Sequence, residues 1–209
     1  DTEPTAFPVI AAPDAQSTVT FNHAEAPTCQ LSGFVLTHAY GAPGCAIECL
    51  SSSPTIKNCL IVGNHVSATD GAVVYGQDSH SVFENCTIAD NEGGRNGAGL
   101  YFVNCNAVVS NSIVWGNLPE QILVESGNDP MILYTNVQGS WPGIGNVDRD
   151  PAFVRPGYWA DWADPVVIRP PDHPSAFWIE GDYSLRSEKG RWDIQGKIWI
   201  TDAYTSPCV

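Results

Sequence analysis

Short apolar runs recur through the first two-thirds of the chain, separated by Gly, Asn, Asp and Ser. Three stretches repeat one order of residues: Pro54-Thr-Ile-Lys-Asn-Cys-Leu-Ile-Val-Gly-Asn64, Val82-Phe-Glu-Asn-Cys-Thr-Ile-Ala-Asp-Asn91 and Val108-Val-Ser-Asn-Ser-Ile-Val-Trp-Gly-Asn117. Weaker copies flank them, Leu31-Ser-Gly-Phe-Val-Leu-Thr37 before and Ile132-Leu-Tyr-Thr-Asn-Val-Gln-Gly139 after. One column through the repeats reads Phe34, Cys59, Cys86, Ser112 and Thr135, with spacings of 25, 27, 26 and 23 residues. A second element recurs between them: Ala46-Ile-Glu-Cys49, Ala72-Val-Val-Tyr75, Ala98-Gly-Leu-Tyr101 and Ile122-Leu-Val124.

A period in the twenties is the mark of a solenoid. No window carries the i, i+3, i+4 spacing of a helical repeat, and there is no leucine ladder. Short β-branched runs between turn residues predict a parallel β-helix with one coil per repeat. In such a coil like residues stack at about 4.8 Å. The Asn58, Asn85, Asn111 column is then expected to form an amide ladder, since Asn also tolerates a left-handed turn. The column Gly63-Asn64, Asp90-Asn91 and Gly116-Asn117 marks a second turn. Cys59 and Cys86 are expected to point inward as small hydrophobes. Asn85-Cys86-Thr87 matches a glycosylation sequon, but its place in the ladder predicts an internal Asn.

The pattern Ser-Pro-Thr-Ile-x-Asn-Cys-x-Ile-x-x-Asn, read from Ser53 to Asn64, resembles the right-handed parallel β-helix repeat proteins of secreted bacterial, planctomycete-like type. The tail adds Asn136 to Phe153, Gly181-Asp-Tyr-Ser-Leu185, Gly190-Arg-Trp-Asp193 and Thr205-Ser-Pro-Cys208, which look like the closing region of that family. The resemblance covers roughly residues 28–153 and 181–209. It implies an all-β, right-handed parallel solenoid of about five coils with an irregular, aromatic-rich C-terminal extension. The organisation expected is an N-terminal strap and first partial coil over 1–27, coils over 28–153 and an extension over 154–209. It carries little about activity, because one coil type serves lyases, isomerases, adhesins and structural proteins. The sequence departs from the family pattern in lacking an Asp-Ala-Gly stretch after Ser-Pro-Cys. Pro4, Pro8 and Pro13 leave no helix to cover the first coil, and an uncovered coil invites another strand.

Charge narrows the partners. The 209 residues carry 9 Lys and Arg against 23 Asp and Glu, a net charge of −14. Such a surface repels phosphate backbones and excludes nucleic acid. No apolar run reaches about 18 residues, which excludes a membrane-spanning helix. Residues 1–147 hold 13 acidic groups with only Lys57 and Arg95 as cations, whereas six of the seven Trp lie beyond position 140. The Lys-poor, acidic balance suits an extracellular or cell-surface protein. Lyases of this fold use a basic side chain near a calcium-bound uronate; Lys57 and Arg95 stand in different columns and make a poor host for an anionic polysaccharide.

Candidate sites are few. Relative to the family, residues 155–178 form an insertion carrying Tyr158, Trp159, Trp162 and Trp178 beside Asp161. Aromatic faces with carboxylates suit sugar stacking; the same residues equally suit a cap over the last coil or a subunit contact. Pro165, Pro170, Pro171 and Pro174 suggest an extended strap. Asn146, Asp148 and Asp150 offer oxygens to a calcium ion, although turn chemistry alone explains Asp-x-Asp-Pro; no other cofactor is implied. Asp90 with Glu92, and Asp78 with Glu84, read as solvated turn charges. The five His form no ligand spacing, with His38 and His65 near equivalent turn positions. Seven Cys leave at least one unpaired; Cys29, Cys45 and Cys49 are candidates for a disulfide, and Cys208 for a link to another chain. The functional expectation is a non-catalytic structural or surface-assembly module that self-associates through its coil ends and aromatic tail, or sits within a larger surface protein. The alternative is a polysaccharide-binding or polysaccharide-cleaving domain.

Overall fold

The computed structural model describes residues 8–11, 17–41, 44–66, 71–94, 97–193 and 195–209. The first coil contains β1 (Val9–Ala11), β2 (Val19–Phe21) and β3 (Gln30–Ser32). The second contains β4 (Val35–Thr37), β5 (Ile47–Leu50) and β6 (Thr55–Lys57). The third contains β7 (Leu60–Val62), β8 (Val74–Gln77) and β9 (Val82–Glu84). The fourth contains β10 (Thr87–Ala89), β11 (Ala98–Cys105) and β12 (Val108–Ser110). The fifth contains β13 (Ile113–Trp115), β14 (Glu120–Gly127) and β15 (Met131–Leu133), and β16 (Asn136–Val137) opens a further turn. Strands three apart in sequence pair in parallel, giving a six-stranded sheet A (β1, β4, β7, β10, β13, β16) and two five-stranded sheets, B (β2 to β14) and C (β3 to β15). The architecture is the expected parallel β-helix. Both β1 and β2 join it, so the described part of residues 1–27 belongs to the first coil. The expectation about Pro4, Pro13 and a cap helix rests largely on residues 1–7 and 12–16, outside the described set.

Alternation builds the core. Leu36, Ile61, Ile88, Val114 and Val137, in register on five of the six sheet A strands, point inward and are buried. Sheet C contributes Ile56, Phe83, Val109 and Ile132, and sheet B contributes Ile47, Val74, Leu100 and Phe102. Files of like residues thus fill the prism, each stacked on the coil before it. Cys59 and Cys86 lie in the same core, as expected.

Each corner is turned by a left-handed residue. Asn58, Asn85 and Asn111 have φ of 52°, 54° and 50° between sheets C and A; Ser51, Asp78 and Asn104 have 47°, 50° and 52° after sheet B. The amide ladder expected at the first of these corners is present only as one long, exposed rung. Asn58, Asn85 and Asn111 are exposed, and the Asn85–Asn58 bond is 3.4 Å long. The sequon Asn85 is therefore external, because its role is to turn the chain with its side chain outward. The buried ladder lies one corner on. Asn64 Nδ2 donates to Asn91 Oδ1 and Asn91 Nδ2 to Asn117 Oδ1, both at 2.9 Å. The same amides donate to the carbonyls of Leu36, Ile61 and Ile88 at 3.0, 2.9 and 2.9 Å. The second to fifth coils meet their neighbours there through satisfied polar atoms, which is what burial of an amide requires.

Trp141 plugs the far end of the core, packed against it from the loop after β16. Asn146 fixes that loop: its Nδ2 donates to the carbonyls of Ile132 and Trp141, and its Oδ1 accepts from the Thr135 N–H.

The extension forms small antiparallel sheets: β17 (Phe153–Arg155), β18 (Tyr158–Asp161), β19 (Asp164–Ile168), β20 (Ala176–Ile179), β21 (Asp182–Leu185), β22 (Arg191–Asp193) and β23 (Ile198–Ile200). β17 pairs with β21, β18 lies between β19 and β20, and β22 with β23 makes a separate hairpin. Among the described residues no helix is long and apolar enough to cross a membrane.

Candidate functional site

Outward positions of sheet A are apolar, and the extension lies on them. Val62, Ala89 and Ile113 form one buried cluster with Phe153 and Trp178, flanked by Trp159, Tyr183 and Leu185. Trp178 is 5% exposed. It sits where a side chain is missing, because a Cβ on Gly63 or Gly157 would run into its indole. Trp159 faces Trp178 across β18 and β20, with ring centroids 5.4 Å apart.

Polar ties run along the same seam. The Asn136 amide donates to Cys208 Sγ at 3.1 Å beside the fifth coil. The Tyr183 hydroxyl donates to Asp90 Oδ2 at 2.7 Å and accepts from the Gly157 N–H at 3.1 Å. Burial pushes the Asp90 carboxyl up to about 6 and the Tyr183 phenol above its ordinary range. Nearer the first coils, His38 Nδ1 lies 3.5 Å from Glu180 and His65 Nε2 lies 3.2 Å from Asp172. The extension therefore runs back across the coils rather than over their end.

A compact cluster forms at that seam. Tyr40, His65, Glu92 and Leu118 align through successive parallel bridges. His65 is buried, with the Tyr40 ring at 5.4 Å and the Trp159 ring at 6.2 Å. Among the described residues its Nδ1 has no hydrogen-bond partner. Burial holds the imidazole below its ordinary pKa, partly opposed by Asp172; burial and Asp172 together hold the Glu92 carboxyl above its own. Asp90 and Glu92 are thus not solvated turn charges, because the extension covers them. His38 and His65 also fall in different columns: Tyr40, not His38, is the coil equivalent of His65.

The predicted aromatic site is divided between tasks. Trp159 and Trp178 belong to the seam, and half-buried Tyr158 donates to the Pro165 carbonyl at 3.4 Å. Asp161 is buried and accepts from the Ala163 N–H, Ser175 Oγ and Arg169 Nε at 2.9, 2.8 and 2.7 Å. Those donors hold its carboxyl well below the usual range, the backbone N–H most strongly. Of the five, only Trp162 is turned out, at 71% exposure.

The oxygens proposed for calcium are each engaged separately. Asn146 caps β15 as described, Asp148 accepts from Ser140 Oγ at 3.1 Å, and Asp150 accepts from the Ala152 N–H at 2.8 Å. All seven cysteines are free thiols, so the disulfide expected among Cys29, Cys45 and Cys49 is not formed, and Cys208 accepts from Asn136. Cys45 and Cys49 point into the core, where burial pushes both thiols up to about 12. Lys57 pairs in register with Glu84 on sheet C; Arg95 lies outside the described residues.

Sheet B carries a face that sequence reasoning passed over. Thr20, Glu48, Tyr75, Tyr101 and Leu123 stand in one outward file. Tyr75 and Tyr101 contact edge to face at 5.5 Å. The Tyr75 hydroxyl donates to Gln77 Oε1 at 2.9 Å, and that of Tyr101 to Glu125. Burial beside these rings raises the Glu48 carboxyl. The signal was present, since Tyr75 and Tyr101 close successive copies of the second repeat element.

A model of the family described as "Right handed beta helix region" matches residues 14–150. No curated protein and no solved structure matches the chain.

Proposed function

The chain belongs to the right-handed β-helix family, and from that premise we propose that it is a non-catalytic, self-associating module of the extracellular space or cell surface. One observation carries this reading. The side chains whose chemistry attracts attention are structurally engaged: Trp159, Trp178 and Asp90 in the seam between extension and sheet A, and Asp161 in hydrogen bonds within the extension. They hold the extension to the coils and to itself, which supports a structural duty for them. The acidic, Lys-poor composition supports the location. Exposed edges and faces support association, since β14 is the last strand of sheet B and a strand edge is a template for a partner.

Sedimentation velocity and electron microscopy of the purified chain over a concentration series test the proposal. The expected result is particles that grow with concentration, with no release of reducing sugar from polysaccharides. Strictly monomeric particles at the highest concentration, or cleavage of a polysaccharide, would overturn it. The second reading, polysaccharide binding or cleavage, draws on exposed Trp162. A glycan array answers it: binding that disappears in Trp162→Ala would favour the sugar reading.

A further inference from the structure

We infer that Asn85 accepts an N-linked oligosaccharide, attached before its coil is locked into the solenoid. This rests on the extracellular location proposed above and adds a covalent modification to it.

Asn85-Cys86-Thr87 has the Asn-x-Thr order of an acceptor, with no Pro in the middle. Other asparagines share parts of its setting. Asn58, Asn104 and Asn111 also turn corners with positive φ and exposed side chains. Two places after them stand Leu60, Asn106 and Ile113, none of which has a hydroxyl. Asn64, Asn91 and Asn117 are buried, and each Nδ2 donates at least twice, which uses both of its protons. Asn85 remains exposed although the extension covers sheet A. Among the described residues its Nδ2 donates once, to Asn58 Oδ1 at 3.4 Å, longer than an ordinary N–H···O bond. A glycosylated amide keeps one N–H, so even this rung survives the substitution. A bulky, hydrated sugar chain at such a corner has open solvent to occupy.

The threonine is the second observation. Thr87 stands in register with Leu60 and Ile113, and Leu60 with Val35. Those three side chains pack in the cluster beneath the extension. Packing alone asks for an aliphatic residue in this column, and a hydroxyl takes its place in the one coil whose corner is followed by the acceptor spacing.

In the transfer, Asn85 Nδ2 attacks the anomeric carbon of an oligosaccharide carried on a polyprenyl diphosphate. A carbon–nitrogen bond forms, the bond from that carbon to the diphosphate oxygen breaks, and the lipid diphosphate departs with the electron pair. One amide proton passes to solvent. The backbone sets the timing. In the wound coil the N–H groups of Asn85, Cys86 and Thr87 donate to the Ser110 carbonyl, Ser112 Oγ and the Cys59 carbonyl at 3.1, 3.1 and 2.9 Å. An enzyme that grips all three residues finds them open only until residues 110–112 dock.

Fractionation of the cells that make the chain, with mass spectrometry of its peptides, tests the site. The expected result is a chain outside the cytoplasm that carries an oligosaccharide on Asn85, released by a peptide N-glycosidase. Thr87→Val gives the column the character of its neighbours and should keep the fold while losing the glycan. Asn85→Asp keeps a corner that Asp78 and Asp90 already adopt at φ 50° and 51°, and should lose it too. An extracellular chain with Asn85 bare, or a glycan on Asn85 that persists in Thr87→Val, would overturn the site and leave the location standing. A chain confined to the cytoplasm would overturn both. Incubation of the full chain with an oligosaccharyltransferase and its lipid-linked donor tests the timing: the urea-unfolded chain should be modified and the folded chain spared. Equal transfer to both would overturn the timing, and transfer to neither would overturn the site.

Discussion

Sheets A and B are alike on their inward faces and opposite on their outward ones. Inward, both present stacked aliphatic files to one core. Outward, sheet A shows Val62, Ala89 and Gly63, small enough to seat an indole, while sheet B shows Glu48, Tyr75 and Tyr101. One face is closed by the chain's own extension and the other is open. The fold is therefore fixed by residues that the sheets share, and any activity by residues in which they differ.

Removing the closing ring should break this contrast most severely. Trp178→Ala empties a buried site on Gly63, and we expect a loss of about 3–5 kcal/mol in chemical denaturation. An unchanged midpoint would mean that the extension adds little to sheet A. Next comes the corner between the two sheets. Asn91→Ala removes a rung bonded to both neighbouring amides and to the Ile61 carbonyl, leaving buried polar atoms unpaired. The expected cost is about 2–3 kcal/mol, measured in the same way.

Acid–base behaviour sharpens the comparison, since the closed face buries its charges. The folded pKa of Asp90, about 6, stands above its ordinary 3.8. The stability it contributes is complete below pH 3.8 and is lost as pH rises through about 6. His65 works in the other direction: its pKa is lowered from 6.5, so its contribution is present above 6.5 and fades on acidification below that. Asp90→Asn should abolish the loss between pH 4 and 7, about 1–2 kcal/mol after allowance for partial exposure, while the acid limb persists. A variant whose stability tracks the wild type across that range would contradict the assignment. The smallest effect belongs to the open face. Tyr75→Ser should change stability by no more than about 1 kcal/mol, and a larger loss would show that sheet B has a structural duty there.

The coils were legible because their information is periodic. Phe34, Cys59, Cys86, Ser112 and Thr135 recur at coil spacing, and each stacks in one file. The choice of ladder was not legible, because Asn serves both a left-handed corner and a buried amide, and both columns carry it. Nor could the seam be read. The meeting of Trp178 with Gly63 joins residues far apart in sequence without any repeat to announce it. The disulfide expectation failed on a related point. Proximity in sequence put Cys45 and Cys49 together, but both lie on one passage of chain into the core, where thiols serve as apolar filling.

The extension's return path has a consequence in time. When the chain emerges from its N-terminus, the coils can wind one after another, each on the last. The apolar stripe of Val35, Leu60, Val62, Ala89 and Ile113 stays unsheathed until residues beyond Phe153 arrive to cover it. The newborn rod thus carries an uncovered apolar flank until that segment is made, and a chain stopped before Trp178 is expected to aggregate.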